Sequence, residues 1–261
     1  TNSAVTSNIC GCGQFINSAA SDNNGVIQIV NGSTIGVQAA SISTTGVGAE
    51  AISITGTFSD VNLDIAGLIS CTTTGGTAIV YNAPNGNLKV RARKISANGD
   101  AAGAYSSAVF LGDGTSDISA VDIEKTSTSD STTILVTGVN ASRTHKVHNS
   151  RIWSKAETVI KVSGVGTLDI DNCLITQSNN SILLKGLIDV VTIGAAVVRI
   201  SNSRIESPVL ELVGVQILTN IPIVILNNVI LALQGDAKSI ESAVAVDVLV
   251  YSGVTNKPTG L

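Results

Sequence analysis

Pairs of acidic residues are the side chains in this chain that could most directly do chemistry. Asp169 and Asp171 lie two residues apart, as do Asp122 and Glu124. In a strand, residues at this spacing point to the same side. Two such carboxylates could act as the acid and base of a glycoside hydrolase or bind calcium.

The other reactive side chains give weaker signals. His145 and His148 are the only histidines, and no Ser or Cys nucleophile stands in an elbow motif beside them. His148 is expected to point outward among charged residues. Trp153, the only tryptophan, follows an inward Ile152 and is also expected to face outward, where it could stack on a sugar ring, bury at a subunit contact, or be covered by a neighbouring turn.

Neither the cysteines nor a loop of acidic residues predicts a metal site. Cys10 and Cys12 form the only close pair, and no second pair at zinc-ligand spacing follows. Buried free thiols are the favoured interpretation, with a disulfide or a metal site left open. The run Asp113–Asp117 imitates a calcium loop, but Ile118 stands where that loop needs Gly. We therefore predict a turn there, and no cofactor.

An internal repeat shows which elements position these residues. The pattern apolar-x-small-x-x-apolar starts at positions 37, 63, 90, 118, 147, 170, 200 and 225. A second motif, alternating apolar residues that end in Gly or Asn, recurs in phase with it. The step is about 27 residues and the apolar period is two, which predicts short strands in stacked coils.

With this repeat, the chain resembles the right-handed parallel β-helix proteins of the pectate-lyase-like superfamily over about residues 26 to 235. The most specific feature is a run of asparagines at one turn: Asn149, Asn172, Asn202 and Asn227. They are similar to that family's stacked asparagine ladder at an interior turn, since Asn tolerates the left-handed conformation. Earlier coils carry Ala39, Ala92 and Ala120 there, so we expect the ladder only in the C-terminal half. The fold class predicted is all-β, a right-handed parallel β-helix of about 9–10 coils.

The resemblance implies the fold but supplies no complete active site. The polygalacturonase motifs are absent, and the calcium-binding aspartates and arginine of the lyases cannot be placed. The residues that come nearest are Asp169, Asp171 and Arg199. They are weak catalytic candidates, and the sequence favours a protein that is not an enzyme.

Outward charges change sign from coil to coil, which gives these acids a structural role. Basic residues at 89, 91, 93 and 94 are followed by acids at 117, 122 and 124, bases at 146 and 151, acids at 169 and 171, and bases at 199 and 204. Neighbouring coils lie about 4.8 Å apart, so opposite charges should pair between them.

Composition excludes several classes of protein. The chain is 44% hydrophobic, 3% aromatic and 13% charged, with no Met and a net charge of −4. The apolar content excludes a disordered chain, and the absence of a basic tract argues against a nucleic-acid partner. No apolar run reaches the length of a membrane helix. With no signal peptide visible and no initiating Met, a processed product or a fragment is expected.

The ends and one apolar stripe predict caps and an oligomer interface. Residues 1–25 are expected to form an N-terminal cap, 26–235 the β-helix, and 236–261 a C-terminal cap or connecting segment. Outward apolar residues are expected to contact other subunits of a homo-oligomer, with a parallel trimer favoured. They are Ile79, Tyr81, Val109, Leu111, Leu135, Val224 and Leu226.

The functional hypothesis from sequence is a structural or adhesive module of a virion appendage, such as a phage tailspike or tail fibre. Its expected partners are a surface glycan or other virion proteins. The alternatives are a polysaccharide lyase or glycoside hydrolase on the same fold, and a bacterial surface adhesin in an extracellular or cell-surface location.

Overall fold

The computed structural model shows stacked parallel strands. It describes residues 5–10, 13–17, 25–30, 33–46, 48–57, 59–72, 76–98, 107–127, 132–155, 158–178, 186–191, 194–210, 213–218, 223–234, 240–242 and 249–256. The described residues form strands and turns and no helix, so they include no helix that could span a membrane.

The strands form three parallel ladders, which we call the first, second and third faces. The first face contains β1 (Val5–Cys10), β4 (Ser33–Ala39), β7 (Ser59–Cys71), β9 (Asn87–Ala97), β11 (Thr115–Lys125), β13 (Thr144–His148), β16 (Gly166–Asp171), β19 (Ala196–Ser201), β22 (Ile223–Asn227) and β25 (Leu249–Ser252). The second face contains β2 (Gln14–Asn17), β5 (Ser41–Thr44), the C-terminal parts of β7, β9 and β11, then β14 (Arg151–Ser154), β17 (Leu174–Gln177), β20 (Arg204–Leu210), β23 (Ile230–Gln234) and β26 (Thr255–Asn256). The third face contains β3 (Ile27–Val30), β6 (Ile52–Thr55), β8 (Ile79–Asn82), β10 (Val109–Leu111), β12 (Ile134–Val136), β15 (Ile160–Val162), β18 (Gly186–Val190), β21 (Val213–Ile217) and β24 (Ile240–Ser242).

This architecture confirms an all-β parallel solenoid with about 27 residues per turn. Each strand pairs in parallel with the corresponding strand of the next coil, as Leu63, Val90 and Ile118 do on the first face. The ladders extend from β1 and β2 to β24, β25 and β26, and so run through described parts of both terminal segments.

Alternation along the strands separates a mainly apolar interior from a charged exterior. In β9, for example, Leu88 and Val90 are buried whereas Lys89 and Arg91 are exposed. The inward side chains of all three faces form one hydrophobic cluster, made mostly of Val, Ile, Leu and Ala. Branched side chains suit such a core because they pack well on a pleated surface.

The corner between the first and second faces is built in two ways. In β7, β9 and β11 the strand continues through the corner. In later coils it is interrupted by an asparagine with positive φ, at Asn149, Asn172, Asn202 and Asn228. Among the described residues these are the only non-glycine residues with positive φ, which confirms an asparagine corner confined to the C-terminal half.

The last member of the predicted asparagine ladder was wrong by one residue. Asn227 lies in β22 opposite Ser201, and Asn228 is the residue with positive φ. Two adjacent asparagines made either register consistent with the repeat. A shift of one residue exchanges the two sides of a strand.

Most of the predicted apolar stripe is wrong. On β22 the shift of one residue exchanges the inward and outward positions, and on the third face the inward and outward residues were assigned the wrong way round. Val224 and Leu226 point inward and are 0% exposed. Ile79, Tyr81, Val109 and Leu111 are also 0% exposed and belong to the main core. Leu135 does lie on the outer side, in a small separate cluster with Val80 and Phe110, but it is only 9% exposed. These seven residues therefore do not form an exposed stripe.

Candidate functional site

A column of alternating charge runs along the outside of the first face. Lys89, Asp117, Lys146, Asp169 and Arg199 are register neighbours on five successive strands. Arg199 Nη1 lies 3.3 Å from Asp169 Oδ1. The predicted interlocking of charges between coils is therefore confirmed.

A second set of ion pairs lies on the second face. Arg151 Nε lies 2.6 Å from Asp122 Oδ1, and Lys94 Nζ lies 2.7 Å from Glu124 Oε1. The Glu124 carboxylate also accepts a hydrogen bond from Ser96 Oγ at 3.0 Å. The pair Asp122 and Glu124 is thus bound to cations of both neighbouring coils.

The residues predicted from sequence as weak catalytic candidates do lie together. Asp169, Asp171 and Arg199 line a shallow depression of about 370 Å³ with Lys146, His148, Val147 and Ser201. His148 points outward as predicted, and its Nε2 lies 2.7 Å from Asp117 Oδ1.

Hydrogen bonds from Ser201 in this depression and from Asn202 beside it favour the ionised form of Asp171. Its Oδ1 accepts from Ser201 Oγ at 2.7 Å and from Asn202 Nδ2 at 2.8 Å. These two bonds, and more weakly the nearby His148, hold the pKa of Asp171 below its ordinary value. A general acid needs the opposite shift, and Asp169 is bound to Arg199, so this arrangement suits a structural network better than acid–base catalysis.

Trp153 is half-buried and not an open aromatic platform. Its register neighbours are Glu124 and Thr176, and its carbonyl accepts a hydrogen bond from Thr133 Oγ1 at 2.8 Å.

The cysteines behave in part as predicted. Cys71 and Cys173 are buried free thiols, whereas Cys10 is exposed; Cys12 lies outside the described residues. Burial raises the pKa of the Cys173 thiol to about 11.

A buried polar cluster lies at the start of the first-face strands β11 and β13 and in the turns just before them, and it was missed from sequence. Arg143 forms an ion pair with Asp113 and donates from Nη1 to the Gly112 carbonyl at 2.6 Å. His145, 1% exposed, lies 3.0 Å from Ser116 Oγ and 3.1 Å from the same Gly112 carbonyl. Burial lowers the pKa of His145 to about 4. The sequence did contain a signal for this cluster. Residues 143 and 145 lie four and two positions before the inward Val147, and in a strand such residues point to the same side.

The asparagine corner opens outward as a groove of about 490 Å³, which we call the corner groove. The lining residues are Asn149, Ser150, Arg151, Asn172, Cys173, Leu174, Asn202, Ser203, Arg204, Asn228 and Ile230. The asparagine side chains are exposed, so the ladder lies outside the core, unlike the interior ladder implied by the resemblance. Ser150 and Ser203 turn inward instead, and their hydroxyls accept from the backbone N–H groups of Ala120 and Cys173.

The asparagine side chains join neighbouring coils but not in one unbroken chain. Asn172 Nδ2 donates to Asn149 Oδ1 at 2.8 Å, and Asn228 Nδ2 donates to Asn202 Oδ1 at 3.0 Å. Between these pairs the ladder is interrupted, because Asn202 Nδ2 donates to Asp171.

Comparisons with known proteins found no relative that would indicate the function of these sites. No family model matches the chain, and neither the curated proteins nor the solved structures contain a match. Within the described residues, no group of three His, Cys, Asp or Glu side chains could hold a metal ion. A functional proposal therefore rests on the solenoid, on the charged exterior of its first and second faces, and on the corner groove.

Proposed function

We propose that this protein is a structural or adhesive β-solenoid module, and that it serves in a virion appendage of the tailspike or tail-fibre kind. The observation that carries the proposal is the pairing of outward carboxylates with cations of adjacent coils, as in Asp169 with Arg199 and Asp122 with Arg151. Charges used in this way stiffen the stack of coils and leave few groups for acid–base chemistry.

The right-handed coil sense and the virion location belong to this proposal. Support for them is the parallel solenoid architecture, which resembles β-helical spikes. Gold-labelled antibodies against the protein should decorate virus particles from its source. Label on bacterial cells instead would favour the surface adhesin.

A homotrimer is also proposed, although the apolar stripe that first suggested it is mostly buried. Its remaining support is a small number of outward apolar side chains, such as Val121, 64% exposed, and Val139, 82% exposed. Native mass spectrometry should give three times the chain mass. A monomer at micromolar concentration would remove this part of the proposal.

The second candidate function is a polysaccharide lyase or hydrolase. The observation that favours it is the placement of Asp169, Asp171 and Arg199 in one depression. We expect no chain release when the protein is incubated with acidic and neutral capsular polysaccharides. Release that disappears in Asp171→Asn but persists in the control Asp122→Asn, whose carboxylate does not line the depression, would establish the enzyme and overturn the structural assignment.

A further inference from the structure

The corner groove has two partly exposed arginine side chains on its lining. The protein has a net charge of −4, yet the groove lining contains the guanidinium groups of Arg151 and Arg204 and no carboxylate. Their side chains are 51% and 41% exposed. Each guanidinium is paired with a carboxylate just outside the lining, Arg151 with Asp122 and Arg204 with Glu206, and Asp171 accepts a hydrogen bond from the lining residue Asn202. The groove therefore has no net positive charge, and it offers an anion only the guanidinium donors that these ion pairs leave unused.

Both arginines keep donors available for a ligand. Arg151 uses Nε for Asp122, and Arg204 uses Nε for Glu206. Neither arginine makes a hydrogen bond from its Nη groups to any residue that the structure describes. A guanidinium has five N–H donors in a planar fork, and this geometry matches a carboxylate in two parallel bonds.

The asparagines beside them also have unused hydrogen-bonding capacity. Each amide nitrogen has two N–H groups and gives one hydrogen bond to protein: Asn149 toward His148, Asn172 to Asn149, Asn202 to Asp171, and Asn228 to Asn202. Among the described residues, the side-chain oxygens of Asn172 and Asn228 accept no hydrogen bond. Such exposed donors and acceptors suit the hydroxyl groups of sugars.

The lining residues repeat in a regular order along the rod. Arg151, Leu174, Arg204 and Ile230 are direct register neighbours on successive strands of the second face. Guanidinium and apolar side chains thus alternate, and the two arginines are two strand spacings apart, about 9.5 Å. Because these residues lie on a hydrogen-bonded sheet and its corner, the spacing is rigid.

From this arrangement we infer that the corner groove binds an extended acidic polysaccharide in which carboxylate-bearing sugars alternate with neutral sugars. The carboxylates lie on Arg151 and Arg204, the intervening ring packs on Leu174, and the asparagine amides bind ring hydroxyls. A sugar ring with its linkage spans about one coil, so an alternating polymer brings a carboxylate to every second coil. The volume of the groove is within the range of small-ligand sites. This inference rests on the adhesive part of the proposed function.

The test measures binding of three defined polymers at low ionic strength by isothermal titration calorimetry. Hyaluronate has alternating carboxylates, polygalacturonate has one on every sugar, and dextran has none. At equal carboxylate concentration, we expect hyaluronate to bind at least fivefold more tightly than polygalacturonate, and dextran to give no heat. No hyaluronate binding, or equal binding of the two acidic polymers, would overturn the inference.

Matched variants locate the binding. Arg151→Gln/Arg204→Gln should weaken hyaluronate binding at least tenfold, whereas Arg91→Gln, which removes an exposed charge from the first face, should change it less than twofold. Asn228→Asp keeps a side chain that tolerates positive φ and adds a negative charge, so it should weaken binding at least threefold. Equal losses in the groove variants and in Arg91→Gln would indicate unspecific charge attraction and overturn the site.

The outcome also separates this inference from the proposed function. If hyaluronate fails to bind while native mass and circular dichroism show an intact assembly, the corner groove is not a glycan site but the structural role stands. If hyaluronate is cleaved, the structural role fails instead.

Discussion

Asn172 donates its side-chain amide to the Oδ1 of Asn149 in the neighbouring coil at 2.8 Å, while both residues have positive φ. One residue type thus satisfies two requirements of the corner: a left-handed backbone and a contact between coils. Serine or alanine would supply at most one of them. The corner is therefore a place where substitutions separate backbone strain from hydrogen bonding.

Asn172→Ala should destabilise the protein by about 1–3 kcal/mol, because it loses a hydrogen bond and places a Cβ-bearing residue without a polar side chain in the left-handed region. Asn172→Gly loses the same bond without the steric penalty and should retain more stability. Urea midpoints of the two variants measure the difference. Equal midpoints would contradict a contribution from backbone strain.

Acid should destabilise the fold through His145. Its pKa is about 4 in the folded protein against 6.5 when exposed, so the unfolded chain binds the proton more readily between these values. Stability should fall as pH decreases from about 6.5 to about 4, by about 3 kcal/mol in total at about 1.4 kcal/mol per pH unit. Urea midpoints across this range provide the measurement.

The matched variants for this pH dependence are His145→Gln and His148→Gln. Removing the buried imidazole should flatten the slope even if stability at neutral pH decreases. Removing the outward imidazole of His148 should leave most of the slope. A wild-type slope in His145→Gln would assign the effect to other groups.

Reversing one charge in the first-face column should cost stability in a salt-dependent way. Asp169→Lys places three cations in register, with Lys146 and Arg199 on either side. The pair is partly exposed, so we expect a loss of about 1 kcal/mol that shrinks in high salt. The double variant Asp169→Lys/Arg199→Asp should recover part of the loss; no recovery would show that the two side chains do not interact.

Thiol labelling should distinguish the cysteines. At pH 8, Cys10 should react with iodoacetamide within minutes because it is exposed. Cys173 should stay unmodified until the protein unfolds, since it is 4% exposed and its raised pKa keeps it protonated. Peptide mass spectrometry reads each site, and labelling in urea is the positive control. Rapid modification of Cys173 in the folded protein would contradict its burial.

The coils were predictable wherever strands carry polar residues on one side. Around Val90 and Ile118, charges alternate with branched apolar residues, and both the burial and the charge pairing follow from that alternation. On the third face, Ile79, Val80 and Tyr81 are all apolar, so no polar residue marked the outside and the phase was assigned incorrectly. At Asn227 and Asn228, adjacent identical residues hid the register. The corner groove was also beyond sequence reasoning, because its residues come from separate coils. In addition, the family resemblance implied that the asparagine side chains of this corner lie inside, whereas they are exposed.

The alternating column of the first face also restricts how this protein can change its length. Excising the single coil that contains Lys146 would bring Asp117 beside Asp169, two like charges in direct register. Excising the following coil as well would bring Asp117 beside Arg199 and restore attraction. Duplications and deletions in this part of the rod should therefore be tolerated in even numbers, so that the reach of the rod changes in steps of two coils.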